Sequence, residues 1–188
     1  MSSFRISGYF YLMLAICIYM LPLRWLVGWI LAVVLHEASH YLALCACGVQ
    51  VLSVKLGPSG AVMETESMKP WQEFISTLAG PIGGCLPILF AEHFTQAAFC
   101  ALVLSVYNLL PLYPLDGGRL LRCCVEALFS PIVAARICGC VTCFILILIL
   151  AVAVYLSFVR HLGLVWLIAA IALLVRCCGI KLTCKEAQ

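Results

Sequence analysis

Charge is what this sequence has least of. Eleven Lys and Arg and 8 Asp and Glu are spread over 188 residues, 10% of the chain, where a soluble domain carries about 25%. That leaves too little polar surface for an ordinary water-soluble fold. The few cations sit at the ends of apolar segments and form no patch, so they report membrane orientation, and nucleic acid is not an expected partner. Two further absences narrow the field. Paired C-x-x-C motifs of the zinc-ribbon kind are missing although there are 13 cysteines, so most thiols read as small polarizable packing residues. A small-x-small cleavage site is missing before Arg24, so the first apolar stretch reads as a retained helix and not as a secretory signal.

What remains is apolar: 65% of the residues are hydrophobic and the mean hydropathy is +1.17. Six apolar segments can be drawn, at about 8–23, 25–47, 71–91, 94–112, 132–158 and 162–178, each near the length that crosses a bilayer. The expectation is an all-α polytopic membrane protein, one integral membrane domain over 1–188, without an appended soluble domain. With the N-terminus inside and six crossings, Arg5, Lys55, Lys69, Arg119, Arg122, Arg136, Arg176, Lys181 and Lys185 fall in the cytosol, and only Arg24 and Arg160 fall outside. This bias predicts a multi-pass protein of the cell membrane with both termini cytosolic.

Within the second apolar segment stands His36-Glu37-Ala38-Ser39-His40. It begins about eleven residues past Trp25, so at ~1.5 Å per helical residue it lies roughly 16 Å deep. Ionisable groups cost several kcal/mol at such depth unless they face a cavity, pair or bind something. On a helix, His36 and His40 project from one face and can hold one metal, while Glu37 lies where a base could reach an activated water. Cys45 and Cys47 are poor ligand candidates: Cys47 returns to the same face about 10 Å further along the axis.

After this helix, residues 49–56 and 61–66 flank Gly57-Pro58-Ser59-Gly60, which predicts a β-hairpin, either dipping into the membrane or lying on its interface. The third segment carries Ala79-Gly80-Pro81, with Gly80 and Gly84 forming a G-x-x-x-G face that helix packing alone would explain, and Pro81 as a bend. The fourth ends in Asn108-Leu-Leu-Pro111-Leu-Tyr-Pro114-Leu-Asp116-Gly117. Asp116 has two readings. It could cap a helix running from about 118 to 129, or it could be the third ligand that a two-histidine zinc site needs, for which it is the best placed carboxylate.

These residues resemble the site-2 protease family of intramembrane zinc metalloproteases. The family marks are H-E-x-x-H on one transmembrane helix and N-x-x-P-x-x-x-x-D-G at the end of a later one, and both are present in full. The six-segment layout looks like the branch containing the sporulation factor protease of spore-forming bacteria, which would place the protein in a bacterial cytoplasmic membrane, with a catalytic core over about 25–120. The resemblance implies one Zn2+ per chain on His36, His40 and Asp116, Glu37 as base, and Asn108 near the reacting carbonyl or the hairpin. It also implies that the hairpin takes up an unwound substrate as an added strand, with Val51, Ser53, Val54, Gly60 and Val62 as candidate substrate-binding residues. One departure is Gly84, where the family has Asn.

The expected activity is hydrolysis of transmembrane or membrane-associated proteins near the cytosolic side, as in regulated intramembrane proteolysis. Its partners are a membrane protein substrate, the lipid bilayer and a membrane-borne inhibitor or regulator. Two alternatives use the same residues. A metal or proton transporter would also carry intramembrane His and Asp, yet it has no need of a Glu between the histidines. A catalytically silent binder of transmembrane clients would have no need of it either.

Overall fold

The computed structural model describes residues 3–6, 8–57, 60–161 and 163–185. They form two compact units, one ending at Leu109 and the other starting at Leu110.

The first unit opens with strand β1 (Ser3–Ile6) and helix α1 (Gly8–Met20). Pro22 then starts helix α2 (Leu23–Ala46), a position where its missing N–H costs nothing. α2 stops at Gly48, whose φ of 72° is open to glycine at no steric cost. There Gly48 N–H donates to Cys45 O at 3.0 Å and Val49 N–H donates to Leu44 O at 2.9 Å, which is the Schellman pattern. Val49 and Leu44 are both buried, the apolar contact that accompanies this turn. The chain is thereby aimed straight into β2 (Val51–Gly57), which returns as β3 (Gly60–Thr65).

The expected hairpin is present, with Val54 opposite Met63 and Leu56 opposite Ala61. Pro58 and Ser59 of its turn lie outside the described residues. The sheet is larger than expected, however, because β1 pairs in parallel with β2, Ser3 with Ser53 through Ile6 with Leu56. A parallel pairing needs a long crossover, and α1 with α2 supplies it. β2 is therefore central, paired on both sides, and the free edge of the hairpin belongs to β3.

Helix α3 (Pro70–Gly84) starts with Pro70, and Lys69 N–H donates to Gln72 Oε1 at 2.8 Å. Gln72 Nε2 in turn donates to Cys47 O at 3.0 Å, tying the start of α3 to the end of α2. A 3-10 stretch, Leu86–Phe90, continues it, and α4 (Thr95–Asn108) follows. Small residues let these helices approach closely. Gly28 faces Ala97 across α2 and α4, and Ala32, Cys100 and Ala101 are fully buried with Trp29, Ile88 and Leu104 around them.

The second unit holds α5 (Asp116–Glu126), α6 (Pro131–Val154) with a π-helical extension Tyr155–Val159, and α7 (Val165–Lys185). Among the described residues three helical stretches are long and apolar enough to cross a membrane: Leu23–Ala46, Pro70–Phe90 and Pro131–Val159. Thr95–Asn108 and Val165–Val175 are apolar but shorter. The sequence drew six segments of spanning length; each lies at least partly in a helix, and among the described residues three apolar helical stretches reach that length. Large apolar side chains such as Val34, Leu42, Ile82 and Phe144 stand exposed on these helices, as lipid-facing surfaces do.

Candidate metal centre

His36, Glu37, Ser39 and His40 all lie on α2. One helical turn brings the two imidazoles together edge to face, ring centroids 4.7 Å apart and planes at 88°. Their Nε2 atoms are 3.1 Å apart. Two nitrogens on one tetrahedral zinc, each at about 2.0–2.1 Å, would be separated by ~3.3 Å, so the pair is close to the spacing that a shared ion needs. The orientation of His40 has an identifiable cause. Its Nδ1 lies 2.7 Å from the backbone O of Ser76 on α3. A carbonyl oxygen only accepts, so Nδ1 carries the proton and the lone pair is left on Nε2. Ser39 turns its hydroxyl back along the helix, donating to Leu35 O at 2.7 Å, and so takes no part in holding an ion.

Glu37 is half-buried, and its Oε1 accepts the backbone N–H of Ala61 at 3.2 Å. This contact sets the geometry of the sheet beside the histidines. Ala61 N–H points away from its partner Leu56 on β2, so by the alternation of an antiparallel ladder Met63 and Thr65 also direct backbone groups outward. The free edge of β3 thus runs past the carboxylate of Glu37. On β2, Val51 and Val54 are half-buried, and Ser53 is buried and donates to Glu64, which also pairs with Lys55. Gly60 opens β3 opposite Gly57, and Val62 is 56% exposed.

The glycine face of α3 meets the signature residues themselves. A methyl at Gly80 would stand 2.1 Å from His40 Nε2, one at Gly83 1.9 Å from Ser39 Oγ, and one at Gly84 3.3 Å from His36 Nδ1 and from Ser105 Oγ. The G-x-x-x-G reading as helix packing is therefore too general: what packs there is the pair of candidate ligands. Ser105 Oγ also donates to Pro81 O at 3.2 Å, a helix-end carbonyl whose usual partner, Cys85 N–H, bonds Ile82 O instead.

Asn108 is the last residue of α4 and half-buried. In the second unit, α5 begins at Asp116 itself, with Leu115 as the residue before it. This corrects the capping reading: Asp116 is the first residue of the helix, not the cap of one starting at 118, and its carboxylate sits where the helix dipole favours negative charge. Asp116 is only 9% exposed, and Leu112 and Leu115 beside it are buried. Gly118 makes this turn possible, since a methyl there would come within 2.4 Å of the Leu112 backbone.

The fold is similar to that of a solved site-2 protease. The solved site-2 protease from Methanocaldococcus jannaschii superposes with a TM-score of 0.61 over 89% of this chain and 85% of that one, at 19% identity, which shows the shared fold. Residues 88–152 match the sequence profile of Peptidase family M50, a stretch that contains the Asn108 to Asp116 motif. A provisionally named zinc metalloprotease of Synechocystis sp. is 35% identical over 120 residues, 52% of this chain and 32% of its own. A zinc metalloprotease of Methanocaldococcus jannaschii is 27% identical over 120 residues, 56% of this chain and 35% of its own. The chain spans about a third of the length of these relatives. The resemblance carried by the two motifs is borne out.

Proposed function

We propose that this protein is an intramembrane zinc metalloprotease that hydrolyses peptide bonds of transmembrane or membrane-associated proteins. The observation that carries the reading is the convergence of His36 and His40, Nε2 atoms 3.1 Å apart, beside a half-buried Glu37. His36 and His40 supply two zinc ligands and Asp116 the third, the two-histidine, one-carboxylate set of zinc hydrolases. Zinc bound there supplies Lewis acidity, polarising a carbonyl and lowering the pKa of water towards about 7. Glu37 takes the proton of the attacking water and delivers it to the leaving amine. Asn108 contacts the reacting carbonyl or braces the hairpin. The Glu between the histidines is what a transporter would not need.

A peptide bond within a helix must be unwound before it can be cut, and the unwound segment needs new backbone partners. Because β1 already pairs with β2, the substrate strand adds to β3, where Met63 and Thr65 offer outward backbone groups beyond the Ala61 N–H that Glu37 holds. Val51, Ser53 and Val54 then support the sheet from its central strand, and Gly60 and Val62 belong to the strand that receives the substrate. Met63→Pro deletes one outward N–H without touching the β2 ladder. Losing a bond of about 1–1.5 kcal/mol, it is expected to lower kcat/KM roughly tenfold, mainly through KM. An unchanged kcat/KM would place the substrate elsewhere.

Taken with six crossings, the charge bias supports cytosolic placement of both termini, and the resemblance to the sporulation factor protease branch supports a bacterial cytoplasmic membrane. A single cysteine at position 185, on a background without native thiols, is expected to resist an impermeant reagent applied to intact cells; labelling from outside reverses the orientation. The test of the function itself is cleavage of a transmembrane client by purified chain in liposomes. Cleavage is expected to stop on chelation and return with zinc, and cleavage that persists in chelator overturns the reading.

A further inference from the structure

Three glycines on α3 meet three residues of the metal helix, but they do not meet them in the same way. At Gly83, an added methyl would stand 2.6 Å from Ser39 Cβ, an atom fixed to the backbone of α2. Only a shift of one helix against the other could relieve that clash. At Gly84 the contacts are 3.3 Å, among them His36 Cβ and Ser105 Oγ, so a small adjustment suffices. At Gly80 the three nearest atoms all belong to the far end of one flexible side chain: His40 Nε2 at 2.1 Å, Cε1 at 2.3 Å and Cδ2 at 2.7 Å. The imidazole occupies the volume in which a β-carbon would otherwise be. The same helix holds the ring from its other end, through Ser76 O and Nδ1 at 2.7 Å.

We propose that Gly80 is a positioning residue for the metal: the side chain it lacks leaves the space that lets His40 bond Ser76 through Nδ1 and turn Nε2 towards the ion. This rests on the zinc reading above. Gly80 and Ser76 are one turn apart on α3, so one face of that helix sets both the place and the tautomer of His40. An alanine at 80 forces the ring to swing about its χ angles, which breaks the bond to Ser76 and withdraws Nε2 from His36. The backbone need not move, because a side-chain rotation relieves the clash. The consequence is a dissociation that a simple packing role would not give: the fold tolerates the substitution and the metal does not.

The experiment compares Gly80→Ala, Gly83→Ala and Gly139→Ala in the full chain. Gly139 lies on α6 with nothing within 4 Å of an added methyl, so it controls for the effect of glycine on helix stability. Zinc affinity is read by chelator competition, ligand geometry by the visible spectrum of the Co2+-substituted protein, and stability by thermal unfolding of the metal-free protein. Gly80→Ala is expected to unfold within a few degrees of the parent while binding zinc about 10- to 100-fold more weakly, the range for losing an orienting partner of a metal ligand, with an altered Co2+ spectrum. Gly83→Ala is expected to lower the unfolding temperature, and Gly139→Ala to leave affinity and spectrum as they are. Parental zinc affinity and Co2+ spectrum in Gly80→Ala overturn the proposal. Loss of the fold in Gly80→Ala overturns it too, since then more than the ring must yield. A parent chain that binds no zinc in the same titration overturns the zinc reading first and this proposal with it, a result distinct from a parent that binds and a variant that binds equally well.

Discussion

Replacing Glu37 with Gln is expected to abolish turnover by several orders of magnitude and to leave zinc in place. The two halves of this expectation come from different features. Turnover falls because a carboxylate that both accepts the proton of water and returns it to the leaving amine is exchanged for an amide that does neither at neutral pH. Zinc stays because Glu37 points to the sheet: its Oε1 accepts Ala61 N–H at 3.2 Å. A glutamine oxygen can accept the same bond, so the helix, the free edge of β3 and the docking of a client strand are all preserved. The checks are zinc content by metal analysis, client retention on affinity purification, and product on a gel. A Glu37→Gln protein without zinc would move Glu37 from base to ligand, whereas full turnover would remove it from the chemistry.

The second large effect is loss of the metal. His36→Ala, and separately Asp116→Ala, are expected to purify with far less than one zinc per chain where the parent holds one. Removing one of the three proposed protein ligands is expected to weaken zinc binding by several kcal/mol, enough to empty the site during purification. His36 is 4% exposed, so the alanine also leaves a small void and some loss of stability accompanies the loss of zinc. For that reason the comparison of metal content is made on protein that still unfolds cooperatively. Full occupancy in the His36→Ala, Asp116→Ala double variant would place the zinc elsewhere.

The sequence disclosed the parts of this site that obey a periodicity. Two histidines at i and i+4 inside an apolar run can face only one way on a helix, and the structure brings their Nε2 atoms together. The hairpin was legible because a Gly/Pro turn separates two runs with partial alternation. β1 was not: four residues carry too little pattern to signal a strand, and its pairing is parallel, with α1 and α2 between it and its partner. Of the two readings of Asp116, the capping one fails because α5 starts about two residues earlier than expected, at Asp116 itself with Leu115 ahead of it, a shift for which the sequence carries no separate signal.

Gly80 and Gly84 show a different limit. Their spacing announces a close approach without saying to what, and a generic helix partner is the natural reading. Only the fold brings His40 and His36 to those two positions. Ser76 was invisible for a related reason: it acts through its backbone carbonyl, which every residue has, and nothing in its side chain marks it. The outward N–H of Ala61 belongs to the same class, since it depends on the register of β3 and not on the identity of the residue.

The measurement closest to the central claim is mass-spectrometric mapping of the products when a transmembrane client is incubated in liposomes with the zinc-loaded chain or with its Glu37→Gln variant. The account predicts a cut within or at the cytosolic end of the client's apolar span, made by the parent and absent with the variant. The same cut made by Glu37→Gln, or an intact client with zinc-loaded parent while the protein conducts ions, would contradict it.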